Sequence, residues 1–446
     1  MYVAPPPSIS EILGKLDQSR FAEIVTGGLE VGTGEYLHWD KLRHLAPPNG
    51  LSNEEWWLLL KLSRQPGLRP LPLTDPGGRA FFFGIPDQVF EHLHFIDQRC
   101  SGEIAMPEVV TADDQARRHY LVNSVMEEAI RSSQLEGATT SRRVAKELLQ
   151  TGRPPRDRSE LMIVNNYRGL QFIRESLGDE LTPDGVLALQ RILTEGTLDN
   201  PEAAGQLQTP DDDRVAVYDR VDRELIHKPP PAEQLPQRME VMCAFANGAI
   251  DPGRFIHPVI RSTLLHFWLA YDHPFEDGNG RTARALFYWS MRKHGYWLTE
   301  YLSISRILRQ APAQYTRAFL LTETDELDTT YFTIYQLQVI CRAVDELHSY
   351  LERKVKEVRE VEKLMKGSDS FNHRQLALLS NAIRNPGRTY DFRTHAGSHN
   401  VTHETARADL SQLMKEGLLV RRKQGKRYLF TPASDLAGKL KKRANY

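Results

Sequence analysis

The stretch His273–Arg284, HPFEDGNGRTAR, decides how this 446-residue chain is read. It lies between two apolar-periodic segments, one containing LLHFWLAY at Leu264–Tyr271 and one running from about Gly280 to His294, which Gly295 closes. It is therefore a loop held at both ends by helices. Gly278, Asn279 and Gly280 permit positive φ and let backbone N–H groups crowd around a ligand. The helix that starts there points its positive dipole end at the same spot. Arg281 and Arg284, at i and i+3, add two cations to that first turn, an unfavourable placement unless an anion sits beside them. A polyphosphate gripped through its non-bridging oxygens would be such an anion. Asp277 then stands as a hard oxygen ligand for Mg²⁺ bridging phosphates. His273 is the side chain here able to take a proton from an incoming hydroxyl near neutral pH, and Phe275 is read as the loop's anchor in the core. A Gly-Asn-Gly by itself is an ordinary turn; the joint string fits one role.

Outward from this loop the chain from about 111 to 345 reads as a helical domain. Asp113–Glu136 carries Leu121, Val125, Ala129 and Ile130 at helical spacing and stops at Gly137. Helices follow over Asn165–Leu177, Thr182–Thr194 and Pro231–Asn247, the second opened by Thr182-Pro183 as N-cap and first residue. Between them VAVYDRVDRELI at Val215–Ile226 alternates around a polar centre, the pattern of a β-hairpin. Residues 1–110, rich in Pro and Gly, read as a small helical lead-in with loops. Residues 346–370 belong to a charge-laced helix, most simply a solvated connector, and 371–446 form a final unit.

The loop matches the Fic-domain motif HxFx(D/E)GNGRxxR at every defined position: His273, Phe275, Asp277, Gly278, Asn279, Gly280, Arg281 and Arg284. The resemblance implies transfer of AMP from ATP to a protein Tyr, Ser or Thr hydroxyl, with ATP as co-substrate and Mg²⁺ as cofactor. By that resemblance His273 is the general base, Asp277 the Mg²⁺ ligand, and Asn279 with the Gly278–Gly280 backbone the phosphate cradle. Arg281 takes the β-phosphate and Arg284 the γ-phosphate. The intact Gly280-Arg281 favours nucleotidyl transfer over the phosphotransfer of the related kinase, Doc. The hairpin, with Val215, Val217 and Tyr218 in its first strand, resembles the family's flap for docking a target segment by strand addition.

SSQLEG at Ser132–Gly137 resembles the family's inhibitory pattern (S/T)xxxE(G/N), carried on the N-terminal side of the motif. Ser132 and Glu136 stand one turn apart on one face, and Glu136 falls at the negative end of its helix, where a cation is wanted. Arg284 could be that cation, and a Glu136–Arg284 pair would occupy the arginine that the γ-phosphate needs. Two rival functions stay open: a DNA-binding regulator whose Fic core senses nucleotide, and the reverse reaction, in which Glu136 positions a water that removes AMP.

Charge divides the chain. Lys+Arg is 57 against Asp+Glu 58, yet residues 371–446 hold 15 basic and 5 acidic residues. A basic tail piece on an acidic body signals two tasks. Three helical patterns followed by LLVRRKQGKRYLFTP around Gln424-Gly425 resemble a winged helix-turn-helix. Thr402 and His403, with Arg407, would face DNA from the recognition helix, and Arg421, Arg422, Lys423, Lys426 and Arg427 would meet phosphates from the wing. The alternative use of such a unit is protein contact or homodimerisation. The expected fold is thus mainly α: a Fic-type helical core with a β-hairpin flap, plus a C-terminal winged helix. Three distant cysteines, Cys100, Cys243 and Cys341, exclude a zinc ribbon or disulfide framework, and the N-terminus lacks a signal peptide's basic and apolar regions. No apolar run spans a bilayer, so a cytoplasmic protein without membrane partners is expected.

Overall fold

The segment Pro258–Asp272 is apolar on nearly every face, and a helix of that kind belongs in a core rather than at a surface. The computed structural model places it there; described residues are 2–26, 34–48, 50–100, 114–175, 177–178, 180–212, 214, 217–218, 225–250, 255–366, 371–385, 387–424 and 427–444. The chain divides into two units, Met1–Gly102 with Val125–Ala343, and Glu103–Ser124 with Val344–Tyr446.

In the first unit, α1 (Ile9–Lys15), α2 (Gln18–Thr26), α3 (Trp39–Leu42) and α4 (Asn53–Arg64) precede a hairpin of β1 (Arg69–Thr74) and β2 (Ala80–Phe83), then α5 (Asp87–Cys100). The hairpin was not anticipated. It is joined to the core by Phe81, whose ring meets Phe267 at 5.5 Å and Tyr271 at 4.8 Å. Next come α6 (Asp114–Leu135), of which the part from Val125 on belongs to this unit, α7 (Arg142–Thr151), α8 (Arg158–Glu175) and α9 (Pro183–Thr194). The short strands β3 (Val217–Tyr218) and β4 (Leu225–His227) pair antiparallel, as the alternation predicts. Then follow α10 (Leu235–Asn247), α11 (Pro258–Asp272), α12 (Asn279–Lys293), α13 (Ile304–Gln310), α14 (Pro312–Thr324) and α15 (Thr330–Lys366), of which the part from Val344 on belongs to the second unit. Of the charged segment read as a connector, 346–366 continue α15, and 367–370 lie outside the described residues. α11 and α12 lie side by side at the centre, and α12 also packs on α8 and α9. Thr182 caps α9 as expected, its side chain accepting from the Gly185 N–H, and His257 caps α11 in the same way through Val259.

In the second unit, α16 (His373–Arg384), α17 (Phe392–His399) and α18 (His403–Lys415) lead into the antiparallel ribbon β5 (Leu419–Gln424) and β6 (Arg427–Pro432), and α19 (Leu436–Ala444) closes the chain. Leu378, Leu379, Leu410, Leu413, Leu419 and Phe430 share one core. α18 is held in place by buried Asp409, which accepts from Arg374 Nε at 2.7 Å and Asn372 Nδ2 at 2.8 Å. No helix among the described residues is long and apolar enough to cross a membrane.

Candidate functional site

α11 ends on His273, whose φ of 44° and ψ of 55° are left-handed. For a residue with a side chain that backbone costs about 1–3 kcal/mol and persists only when its surroundings enforce it. Asn279 is one enforcer. Its Oδ1 accepts from the Phe275 N–H at 2.9 Å and its Nδ2 donates to the Phe275 carbonyl at 2.7 Å, while Phe275 itself is fully buried. With the amide orientation so fixed, Nδ2 also points at His273 Nδ1, 3.2 Å away. Gly278 must be glycine twice over: its φ is 84°, and a Cβ there would lie 2.7 Å from Thr194 Cγ2. From this turn α12 begins, with the free N–H groups of its first residues at the loop.

Both arginines of the motif are fully buried, and the chain supplies anions to them. Arg281 Nη2 lies 3.0 Å from Asp277 Oδ2, and its Nη1 donates to the Leu193 carbonyl at 2.8 Å. Arg284 Nη2 lies 2.8 Å from Glu136 Oε1. Its Nε donates to Ser132 Oγ at 2.9 Å and its Nη2 to the Ser132 carbonyl at 3.2 Å. Burial alone would lower the Arg284 pKa; the Glu136 carboxylate beside it raises it instead. Two donors remain without partners, Arg281 Nε and Arg284 Nη1, which is unusual for buried guanidinium groups. A Cβ placed on Gly280 would stand 2.3 Å from Glu136 Oε1 and 3.0 Å from Arg284 Nη1. Glu136 thus lies over the first turn of α12, where an anion is expected, and the bare Gly280 backbone lets it come that close. Gly137, at φ 105°, ends α6 just beyond it.

Burial, then the nearby His227 and Arg214 cations, push the His273 pKa down to about 4, so its ring is neutral at pH 7. Asp277 keeps 42% of its side chain exposed. Among the described residues no group of three or more His, Cys, Asp or Glu could hold a metal ion. A single open carboxylate suits Mg²⁺, which takes one or two protein ligands with substrate phosphates and keeps its waters.

His273, Asp277, Gly278–Gly280, Arg281 and Arg284 therefore converge with Ser132 of α6 and with Glu136 and Gly137 just past its end. Val217 and Tyr218 lie in the paired strand β3, and Val215 falls outside the described residues. The residues expected at DNA lie in the second unit: Thr402 caps α18, and His403, Arg407, Arg421, Arg422, Lys423 and Arg427 are exposed, while Lys426 falls outside the described residues. Gln190 and Thr194, which brace the loop from α9, were not singled out from sequence. Gln190 Nε2 donates to the Asp277 carbonyl at 2.9 Å, a contact across 87 residues that no local pattern announces.

Residues 180–291 match the model of the Fic/DOC family, and the chain carries a Fic domain. Protein adenylyltransferase Fic of Nematostella vectensis is 28% identical over 165 residues, covering 35% of this chain and 34% of that protein. Protein adenylyltransferase fic-1 of Caenorhabditis elegans is 29% identical over 171 residues, covering 36% and 30%. The matched stretch thus spans about a third of the length of each curated relative. A crystal structure of a Fic family protein from Desulfovibrio desulfuricans G20 superposes with a TM-score of 0.51 at 17% identity, over 82% of this chain and 98% of that one. That likeness concerns the fold.

Proposed function

We propose that this chain transfers AMP from ATP to a Tyr, Ser or Thr hydroxyl of a protein, and that Glu136 restrains the reaction. The observation that carries the reading is the ion pair over Gly280: a carboxylate covers the first turn of α12, beside a buried arginine that still has an unused donor. ATP would lay its phosphates on the turn from Gly278 to Gly280, with Arg281 and Arg284 at the β- and γ-phosphates in place of Asp277 and Glu136. Asp277 would hold Mg²⁺, which when bound neutralises phosphate charge. The neutral His273 takes the proton of the target hydroxyl as its oxygen bonds to the α-phosphorus. The bond to the β-phosphate bridging oxygen breaks and pyrophosphate leaves. The hairpin β3–β4 would dock the target's backbone by strand addition, bringing its hydroxyl to His273.

Incubation of wild type, Glu136→Gly and His273→Ala with Mg²⁺ and α- or γ-labelled ATP tests this. Label from the α position, raised severalfold by Glu136→Gly and lost in His273→Ala, is the expected result; equal labelling by all three versions refutes it. Label from the γ position alone would make the enzyme a kinase. Release of AMP from a modified protein, dependent on Glu136, would assign the reverse reaction.

A second function rests on the second unit. Exposed Arg407 on α18 and Arg421, Arg422, Lys423 and Arg427 on the ribbon support the reading of a winged helix-turn-helix, in which α18 would enter the major groove and the ribbon would meet the phosphates. A mobility shift of duplex DNA by the full chain, weakening with salt and unaltered by His273→Ala, is the expected result; absence of a shift at low salt refutes it.

A further inference from the structure

The two ends of the β3–β4 hairpin share one task that the motif does not reveal. A helix leaves its last carbonyls without helical partners. In α11 those of Tyr271, Asp272 and His273 are met by side chains from the hairpin's ends. His227 Nε2 lies 2.7 Å from the Tyr271 carbonyl. Arg214 donates through Nη2 to Asp272 at 2.8 Å and through Nη1 to His273 at 3.2 Å. Arg214 Nε also donates to the Pro230 carbonyl at 2.9 Å, closing the hairpin's entry onto its exit.

We propose that Arg214 and His227 are positioning residues: they cap the helix that presents His273 and so fix the hairpin and the His273 ring in one register. This rests on the adenylyl-transfer reading, in which His273 is the base and the hairpin holds the target. Cations at a helix C-terminus face the negative end of its dipole, so the arrangement stabilises itself. His227 has acceptors at both ring nitrogens, the Tyr271 carbonyl at Nε2 and Glu323 Oε2 2.9 Å from Nδ1. A neutral ring donates from only one nitrogen, so both bonds form only in the imidazolium. The other groups around it are Tyr271, whose ring tilts against it at 4.6 Å, and the buried Asp272, which is taken by Arg238 at 2.6 Å and Trp268 Nε1 at 3.0 Å.

Burial opposes this charge, but Glu323 outweighs it and the His227 pKa is raised. The doubly bonded form is therefore favoured at low pH and is lost as pH climbs through that raised value. His273 faces His227, Arg214, Glu136 and Asp277; burial first, and then the two cations, lower its pKa, while the two carboxylates pull the other way. Losing His227 should raise the basic strength of His273 while loosening its backbone.

The test follows the His273 ring by NMR titration of the histidine-labelled full chain without nucleotide, assigned by comparison with His273→Ala. It reads the register whether or not the chain transfers AMP. In His227→Gln the His273 midpoint should move up from about 4 towards the ordinary 6.5. In the Glu136→Gly background, kcat for self-modification should fall at least tenfold with KM for ATP within twofold. Glu323→Gln keeps the ring and should move the His227 midpoint down. An unmoved His273 midpoint in a folded His227→Gln, or an unmoved His227 midpoint in Glu323→Gln, overturns the proposal. Absence of α-label in Glu136→Gly with both midpoints moving as stated would refute the adenylyl-transfer reading and leave the cap intact.

Discussion

If Glu136 competes with the γ-phosphate for Arg284, removing it should separate ATP from ADP. Arg284 is 1% exposed and the Glu136 side chain 28%. Exposed ion pairs are worth about 0–1 kcal/mol, whereas breaking a buried one costs about 3–5 kcal/mol. The half-sheltered pair lies between these limits, at about 2 kcal/mol, and at about 1.4 kcal/mol per factor of ten this is about 30-fold in affinity. ATP must displace the carboxylate to reach Arg284; ADP, lacking a γ-phosphate, leaves the pair in place. In a His273→Ala background, which stops turnover, Glu136→Gly should tighten ATP by about 30-fold and ADP by no more than a few-fold. Isothermal titration calorimetry of the full chain with Mg²⁺ measures both constants. Equal gains for the two nucleotides would mean that Glu136 acts on the whole pocket, for instance by blocking the adenosine, and would refute the competition for Arg284.

Four more expectations can be measured directly. With His273 held at about 4, transfer should keep its full rate as pH falls to about 5 and be lost only on passing through about 4. Because the unfolded ring binds its proton near the ordinary 6.5, this residue's share of stability is complete above about 6.5 and is lost as pH falls towards 4, which chemical denaturation at stepped pH reads. Gly278→Ala should cost about 1–3 kcal/mol in thermal unfolding and weaken nucleotide binding, and adding Thr194→Ser, which deletes the methyl 2.7 Å from the new Cβ, should recover part of it. Replacing Arg421, Arg422 and Lys423 by Ala should reduce the slope of log affinity for DNA against log salt by about 3, read by fluorescence anisotropy.

The loop was legible because its chemistry is local: His273 to Arg284 carry residue types whose roles follow from a helix start and an anion. The anions themselves were half hidden. Sequence pairs Arg284 with Glu136 only through a pattern whose serine is 152 residues away, and Asp277, though four residues before Arg281, stands ahead of the helix, so that helical spacing does not announce their pair. The hairpin of Arg69–Thr74 escaped because Pro70 and Pro72 argue against a strand. Both point to solvent while Leu71 and Leu73 are buried, and in a two-stranded sheet a proline can keep its missing N–H on the open edge. Arg214 and His227 escaped for another reason. Their partners are mostly backbone carbonyls, and a carbonyl left free by the end of a helix has no residue type to betray it.

Glu128 and Ser132 of α6, and Glu136 just past its end, follow one another at four-residue spacing on the side that meets Arg284, but the three are not equally free. Glu128 is buried and accepts from Ser303 Oγ at 2.8 Å, Ser305 Oγ at 2.5 Å and the Ser305 N–H at 3.2 Å. Burial pushes its carboxyl pKa up despite these donors. Asn166 of α8 holds the same helix through the Ala129 carbonyl and Ser133 Oγ, at 3.2 and 3.3 Å. Unseating α6 would leave several such groups unpaired at about 1–3 kcal/mol each. Glu136, beyond the last helical residue and partly exposed, can leave for about 2 kcal/mol. The restraint is therefore lifted most cheaply by turning one side chain while α6 stays seated. Amide exchange across Val125–Leu135 should then be as slow with ATP bound as without it, in wild type and in Glu136→Gly alike. Faster exchange there on nucleotide binding would show the helix opening and would refute the side-chain route.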